Sequence, residues 1–266
     1  METVLKILIL LLILLIPHSG SSFTFNNSGE LAFKKEKIDV YFSSAGCTNI
    51  PYSNSELLSI IDDAINDFWN TVSVSSLYLE NKGTIDVGSE FQTDPICTNP
   101  GGSGCTPNSD LNVNSGIVIT CNIDTDDENF SAGVLGLSLP INSTNSQING
   151  SVVLLNDRAD SALIDLERHE MVAVVAHEIG HALGFGHSTE TRALMYASLV
   201  TKRTKLGLDD IHGVSYLYPI DSSIQTCLNT NTDGGYSLLL GSLIFFMLFS
   251  LVRFSKKLLK ALPRST

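Results

Sequence analysis

Three histidines, one glutamate and one glycine stand close together in His177-Glu178-Ile179-Gly180-His181-Ala182-Leu183-Gly184-Phe185-Gly186-His187, at spacings that suit a catalytic zinc ion. Residues four apart lie above one another on a helix, so His177 and His181 can offer two ring nitrogens to one ion at about 2.0–2.1 Å. Glu178 is rotated off that line, toward the coordination position a water would take, which places it as a base and not as a ligand. His187 lies six residues past His181 and can reach the same ion only if the chain turns back. Gly184 supplies the turn, because glycine adopts the left-handed conformation past a helix end without a Cβ penalty. Three protein ligands and one open position make a catalytic site, whereas structural zinc sites close with four. A histidine pair at this spacing also arises by chance on a polar helix face; Gly184 and His187 are two further requirements that a chance pair does not meet. His18, His169 and His212 have no such company and read as leader, surface or structural residues.

The elements that must position this run follow from periodicity. Residues 38–43 alternate and read as a first strand. Residues 55–71 carry Leu58, Ile61, Ile65, Phe68 and Trp69 in a helical rhythm, with Ser55 or Asn54 as cap. Residues 116–121, 133–139 and 150–155 are β-rich runs separated by turn residues. A helix is expected over about residues 164–183, with Met171-Val172-Ala173-Val174-Val175-Ala176 as its buried approach.

The site run resembles the metzincin signature, and its surroundings are similar to the matrixins, the branch that includes the matrix metalloproteinases. Ser188 follows the third histidine as it does there, and Ala193-Leu194-Met195-Tyr196 looks like the matrixin Met-turn. Leu208-Asp209-Asp210-Ile211-His212-Gly213-Val214, with Leu217-Tyr218, is similar to the family's C-terminal helix. The likeness is strong over residues 165–219 and weak before them. It implies an α+β, zincin-like catalytic domain: a twisted mixed five-stranded sheet with three helices above a zinc cleft. It further implies a zinc-dependent endopeptidase that hydrolyses peptide bonds in extracellular or cell-surface proteins. His177, His181 and His187 would hold one catalytic Zn2+, and Glu178 would activate the water bound there. Met195 would form the floor, while Asp209 and Asp210 brace the active-site helix and the Met-turn. An edge strand near Ala132-Gly133-Val134-Leu135-Gly136 would take an extended polypeptide by strand addition, although a simple hairpin strand reads equally well.

The departures from that pattern matter too. No histidine lies between His18 and His169, so one zinc is expected, without the family's second, structural ion. The Pro-Arg-Cys-Gly switch is missing, and Tyr196 stands one residue after Met195, not two, so it does not match the tyrosine ligand of astacins. Two other classes stay open: a non-catalytic, membrane-tethered adhesion or binding domain that keeps fold and metal, and a zinc enzyme acting on something other than peptides.

Composition sets the surroundings. Residues 1–22 have a signal-peptide shape, and 23–36 form a short N-terminal segment before the catalytic domain at 37–220. A polar stalk at 221–235 leads to a charge-free run at 236–252, then to a basic tail at 253–266. The run reads as a transmembrane helix with a cytoplasmic tail, or as a sorting tail cut near Gly234-Gly235; either places the catalytic domain outside the cell, at its surface. The net charge is −12, and removing the tail's Arg253, Lys256, Lys257, Lys260 and Arg264 leaves about −17, which disfavours nucleic acid as a partner. Asp124, Asp126, Asp127, Glu128, Asp157 and Asp160 are oxygen donors of the kind Ca2+ takes, but their spacing completes no calcium motif and a solvated acidic loop reads as well. Five cysteines in an exported chain suggest disulfides, with Cys97–Cys105 and Cys47–Cys121 the favoured pairing and Cys227 left over. Asn26, Asn129, Asn142 and Asn149 begin sequons at a frequency near chance.

Overall fold

The computed structural model describes residues 23–26, 30–34, 37–98, 105–124, 129–130, 133–198 and 200–220. The leader, the stalk, the 236–252 run, the basic tail, Cys227 and the acids Asp126, Asp127 and Glu128 lie outside the described residues. Among the described residues, no helix is long and apolar enough to cross a membrane.

Six strands form one sheet: β1 (Ala32–Phe33), β2 (Lys37–Ser43), β3 (Tyr78–Ile85), β4 (Gly116–Asn122), β5 (Gly136–Thr144) and β6 (Gln147–Asn156). From one edge the order is β3, β2, β4, β6, β5; the two-residue β1 pairs with the start of β6. All pairings are parallel except β5 with β6, so the sheet is mixed and its antiparallel strand lies at the edge. β4 is buried throughout, as expected of a central strand covered on both faces. Ile117, Ile119 and Cys121 face the main core, and Val118 faces a second apolar cluster with Phe91, Leu111, Phe130, Val152 and Leu154.

Three helices of some length, α1 (Asn54–Asp67), α3 (Arg168–Ala182) and α4 (Leu208–Leu217), accompany the sheet, and a single turn, α2 (Glu90–Thr93), joins them. Leu57, Ile60, Ile61, Ala64 and Ile65 of α1 enter the main core, where α3 contributes Met171, Val172, Ala173, Val174, Val175, Ala176 and Ile179. This is the metzincin order of elements and the mixed fold expected from sequence, except that the sheet has six strands and not five, because the two-residue β1 adds to β6.

Several boundaries differ from expectation. Ser53, not Ser55 or Asn54, caps α1: its hydroxyl accepts from Glu56 N–H while the Glu56 carboxylate accepts from Ser53 N–H at 2.8 Å. The helix stops at Asp67, and Trp69–Thr71 form a tighter turn. The run at 164–183 is divided: a short turn, Ala162–Asp165, precedes extended Leu166 and Glu167, and Glu170 draws back onto Glu167 N–H to start α3. β5 begins at Gly136 because Asn156 ties down the preceding residues, its side chain donating to the Val134 carbonyl and its N–H to that of Leu135. The strand instead extends to a two-residue hairpin in which Asn145 and Ser146 both have positive φ. β3 is an addition, its Glu-Asn-Lys-Gly stretch being a poor strand former held by pairing with β2.

Cys47 is bonded to Cys121 and Cys97 to Cys105. The first bond closes a separation of 74 residues and ties the end of β2 to β4. Beside it, Asp157 accepts from the N–H groups of Asn49 and Ile50 at 2.8 and 2.7 Å. Changing Cys47 and Cys121 together to serine is expected to cost about 2–4 kcal/mol of unfolding free energy. Urea titration of the oxidised protein and the double variant checks this, and coincident midpoints would exclude it.

Candidate metal centre and substrate cleft

α3 carries the first half of the site. His177 and His181 are one turn apart on its cleft side, and Trp69, whose indole N–H donates to the Ala176 carbonyl at 2.9 Å, fixes the helix just before them. Gly180 lets the helix lie close to Met195 and Trp69; a Cβ there would meet the Met195 sulfur and stand 2.8 Å from the indole. Met195 thus packs directly against the helix at Gly180.

The helix ends as its glycine demands. Gly184 has φ +107°, its N–H reaches the His181 carbonyl at 3.0 Å, and Phe185 N–H reaches that of Gly180 at 3.1 Å, the bonding of a Schellman ending. The chain then reverses and delivers His187. Its backbone is held on both sides: Thr24 Oγ1 donates to the His187 carbonyl at 2.6 Å, and Ser188 N–H donates to the Met195 carbonyl at 2.7 Å.

The three imidazoles converge, one ligand atom from each lying within 4.8 Å of the others. His177 Nδ1 is 2.8 Å from the Leu194 carbonyl and His181 Nδ1 is 2.7 Å from that of Phe185. Each Nδ1 must therefore be the protonated nitrogen, which leaves Nε2 with a lone pair facing the centre. His181 Nε2 and His187 Nε2 stand 3.2 Å apart. Two nitrogens bound to one tetrahedral zinc at about 2.0–2.1 Å would be about 3.3–3.4 Å apart, so the donor set fits the ion. Desolvation lowers His177 to about 4 and His181 to about 3, and it lowers His187 as well. The rings are thereby kept neutral, the form that ligates metal.

Glu178 lines the same cleft and is only 5 % exposed. Its Oε2 is buried with no hydrogen-bond partner, and burial pushes the carboxyl up to about 8. A neighbouring dication would act in the opposite direction. Gly136 passes directly over it, since a Cβ there would lie 2.9 Å from the Glu178 carboxyl carbon.

The two aspartates brace different parts. Asp209 accepts from the Ser188 hydroxyl. Asp210 accepts from the N–H groups of Leu194, Met195 and Gly207 at 2.6, 3.0 and 2.7 Å, holding both the Met-turn and the start of α4. Burial raises its carboxyl above the ordinary range against the pull of those donors. His169 and His212 are exposed and stand apart from the centre. Of the acids considered for calcium, Asp124 and Asp157 spend oxygens on backbone N–H groups, and Asp160 pairs with Arg158.

The cleft has a volume of about 860 Å³ and is lined by Gly133–Ser138 and by Ala197, Ser198, Val200 and Thr201. Gly133, Val134, Leu135 and Gly136 of the expected edge line it, together with Thr24, Phe25 and Asn26 of the N-terminal segment. The sequence had not placed those three residues or Trp69 at the site, and it had given Gly136 a place on the edge but not its approach to Glu178. Trp69, the single tryptophan, was the one with a visible signal.

The sheet, the helices and the cleft with its histidine centre are consistent with the metzincin fold. Residues 110–219 match the model of the Matrixin family. The chain is 43 % identical over 86 residues to Metalloendoproteinase 2-MMP of Arabidopsis thaliana, covering 29 % of this chain and 21 % of that protein. It is 46 % identical over 54 residues to Metalloendoproteinase 1 of Glycine max, 20 % of this chain and 18 % of the other. Interstitial collagenase of Sus scrofa is 35 % identical over 88 residues, 29 % of this chain and 19 % of the collagenase. The chain spans about a fifth of the length of these curated relatives. The likeness supports the matrixin family and, at that level, a zinc metalloprotease.

Proposed function

We propose that this chain is a zinc-dependent endopeptidase that cleaves extracellular or cell-surface proteins. One observation carries the reading: a buried Glu178 carboxyl group, whose Oε2 has no hydrogen-bond partner, shares a polypeptide-sized cleft with three neutral, convergent imidazoles. Zinc, held by His177, His181 and His187, would supply Lewis acidity to a scissile carbonyl and lower the pKa of a water. Glu178 would take that water's proton during attack and pass it to the leaving amine. The edge from Gly133 to Gly136, which lines the cleft, would pair with the extended substrate backbone, as an exposed strand edge can. The signal-peptide shape of residues 1–22 and the apolar 236–252 run support export and attachment at the cell surface.

A non-catalytic binding domain would have no use for a buried carboxyl group with an oxygen left unsatisfied. The two readings are separated by metal analysis of the full chain together with casein and peptide-library digestion. One zinc per chain, with cleavage that a chelator stops and added zinc restores, is the expected result. One zinc with no cleaved peptide would transfer the assignment to the binding domain.

A further inference from the structure

Several basic residues of the domain are paired with acids. Lys37 and Lys82 both touch Glu80, at 2.8 and 3.1 Å; Arg158 touches Asp160 at 3.0 Å and Asp124 at 3.5 Å; Arg168 touches Asp63. Arg192, Lys202, Arg203 and Lys205 form no ion pair among the described residues, in a chain whose net charge is −12. All four line one cavity of about 720 Å³. Two carboxylates also line it: Glu190 is exposed, and Asp209 is buried and occupied by Ser188. Leu208, 71 % exposed, adds an apolar contact at the rim. Arg203 donates through Nη2 to the Thr191 carbonyl, yet its Nε is buried without an acceptor. A cationic donor in that state is costly unless something else satisfies its neighbourhood.

The position of this cavity gives it a use. Val200 and Thr201 line the substrate cleft, and the next residues, Lys202 to Lys205, line the basic cavity. The short turn Val200–Lys202 is the wall between them. Three of the four cations, Lys202, Arg203 and Lys205, thus follow within four residues of Thr201 in the chain.

We infer that this basic cavity is an exosite for an acidic, Asp/Glu-rich segment of the polypeptide substrate; the inference rests on the endopeptidase reading. Exposed pairs are individually weak and screened by salt, so the site would act through several together, chiefly on KM. The domain's own acidity sharpens the selection, because an acidic segment is repelled elsewhere on the surface and welcomed here.

The test uses the full chain and three peptides with the same scissile core: one with a neutral Gly-Ser extension, one with a Glu-rich extension at its carboxyl end, and one with that extension at its amino end. One of the acidic peptides is expected to have a KM about tenfold below the neutral one at low salt, an advantage lost toward 0.5 M salt, roughly as several weak surface pairs would give. In the Lys202→Glu/Lys205→Glu variant that KM ratio should fall to about one; a purely structural disturbance would shift both values and leave the ratio standing. Equal KM values in the unaltered chain, or a ratio that survives the double change, would overturn the exosite. If no peptide is cut, the endopeptidase reading fails, and fluorescence anisotropy of the labelled Glu-rich extension decides the exosite by itself: salt-sensitive binding lost in the variant supports it, and no binding overturns it. Binding of a heparin fragment that the Glu-rich peptide does not displace would also overturn it, in favour of a sulfated glycan.

Discussion

Glu178→Gln should leave a folded protein that still holds one zinc and has lost about 10²–10⁴-fold in kcat, the range expected when a positioned general base is removed. Glutamine keeps the shape of the side chain beneath Gly136 but cannot take a proton. The carboxylate it replaces is 5 % exposed and has an oxygen without any partner, so the fold gains nothing from its charge. The melting temperature of the variant should therefore equal or exceed that of the parent. Metal analysis, calorimetry and kcat on one peptide substrate check the three parts together. Cleavage at the parent rate would remove Glu178 from the chemistry, and loss of zinc would make it a ligand.

Asp210→Ala should cost more stability than any other single change at the site, about 3–5 kcal/mol, because it strands buried donors that a carboxylate had satisfied. Three N–H groups lose their acceptor at once: those of Leu194, Met195 and Gly207. The effect should reach the metal. Leu194 receives Asp210 on its N–H and presents its carbonyl to His177 Nδ1 at 2.8 Å, so the aspartate orients a ligand through one peptide unit. Loss of such an outer partner weakens metal binding by about 10–100-fold. Urea titration and chelator competition on the same preparation measure both quantities. A variant within about 1 kcal/mol of the parent would show that water replaces the carboxylate.

The site was legible in the sequence to an unusual depth because its chemistry is local. His177, Glu178, His181, Gly184 and His187 occupy eleven consecutive residues, and Ser188, Met195, Asp209 and Asp210 stand at short range from them. What orients them was not legible, since the partners of His177 and His181 are main-chain carbonyls of Leu194 and Phe185, which any side chain could carry. Gly136 acquires its meaning only by passing over Glu178, and no local pattern announces that. The core strands read well where they are apolar. β3 escaped because its polar edge sequence depends on pairing with β2, and the start of β5 was misplaced because Asn156, about twenty residues away, decides it. The cap of α1 was available in Ser53 and Glu56 and required only the rule that the two act together.

His187 is held differently from the other two histidines, and this bears on when the centre can form. His177 and His181 become neighbours as soon as one turn of α3 exists. The His187 carbonyl is anchored by Thr24, a contact between residues 163 apart in the chain, and the following residue by the Met-turn. Loop closure over such a distance is slow compared with helix formation. A nascent chain would thus offer zinc only a two-nitrogen, loosely held site on an isolated helix, and tight capture would wait until the N-terminal segment has met the turn after α3. Metal loading then serves as a marker of completed folding, because the third ligand takes its place only in a chain whose distant segments have already found each other.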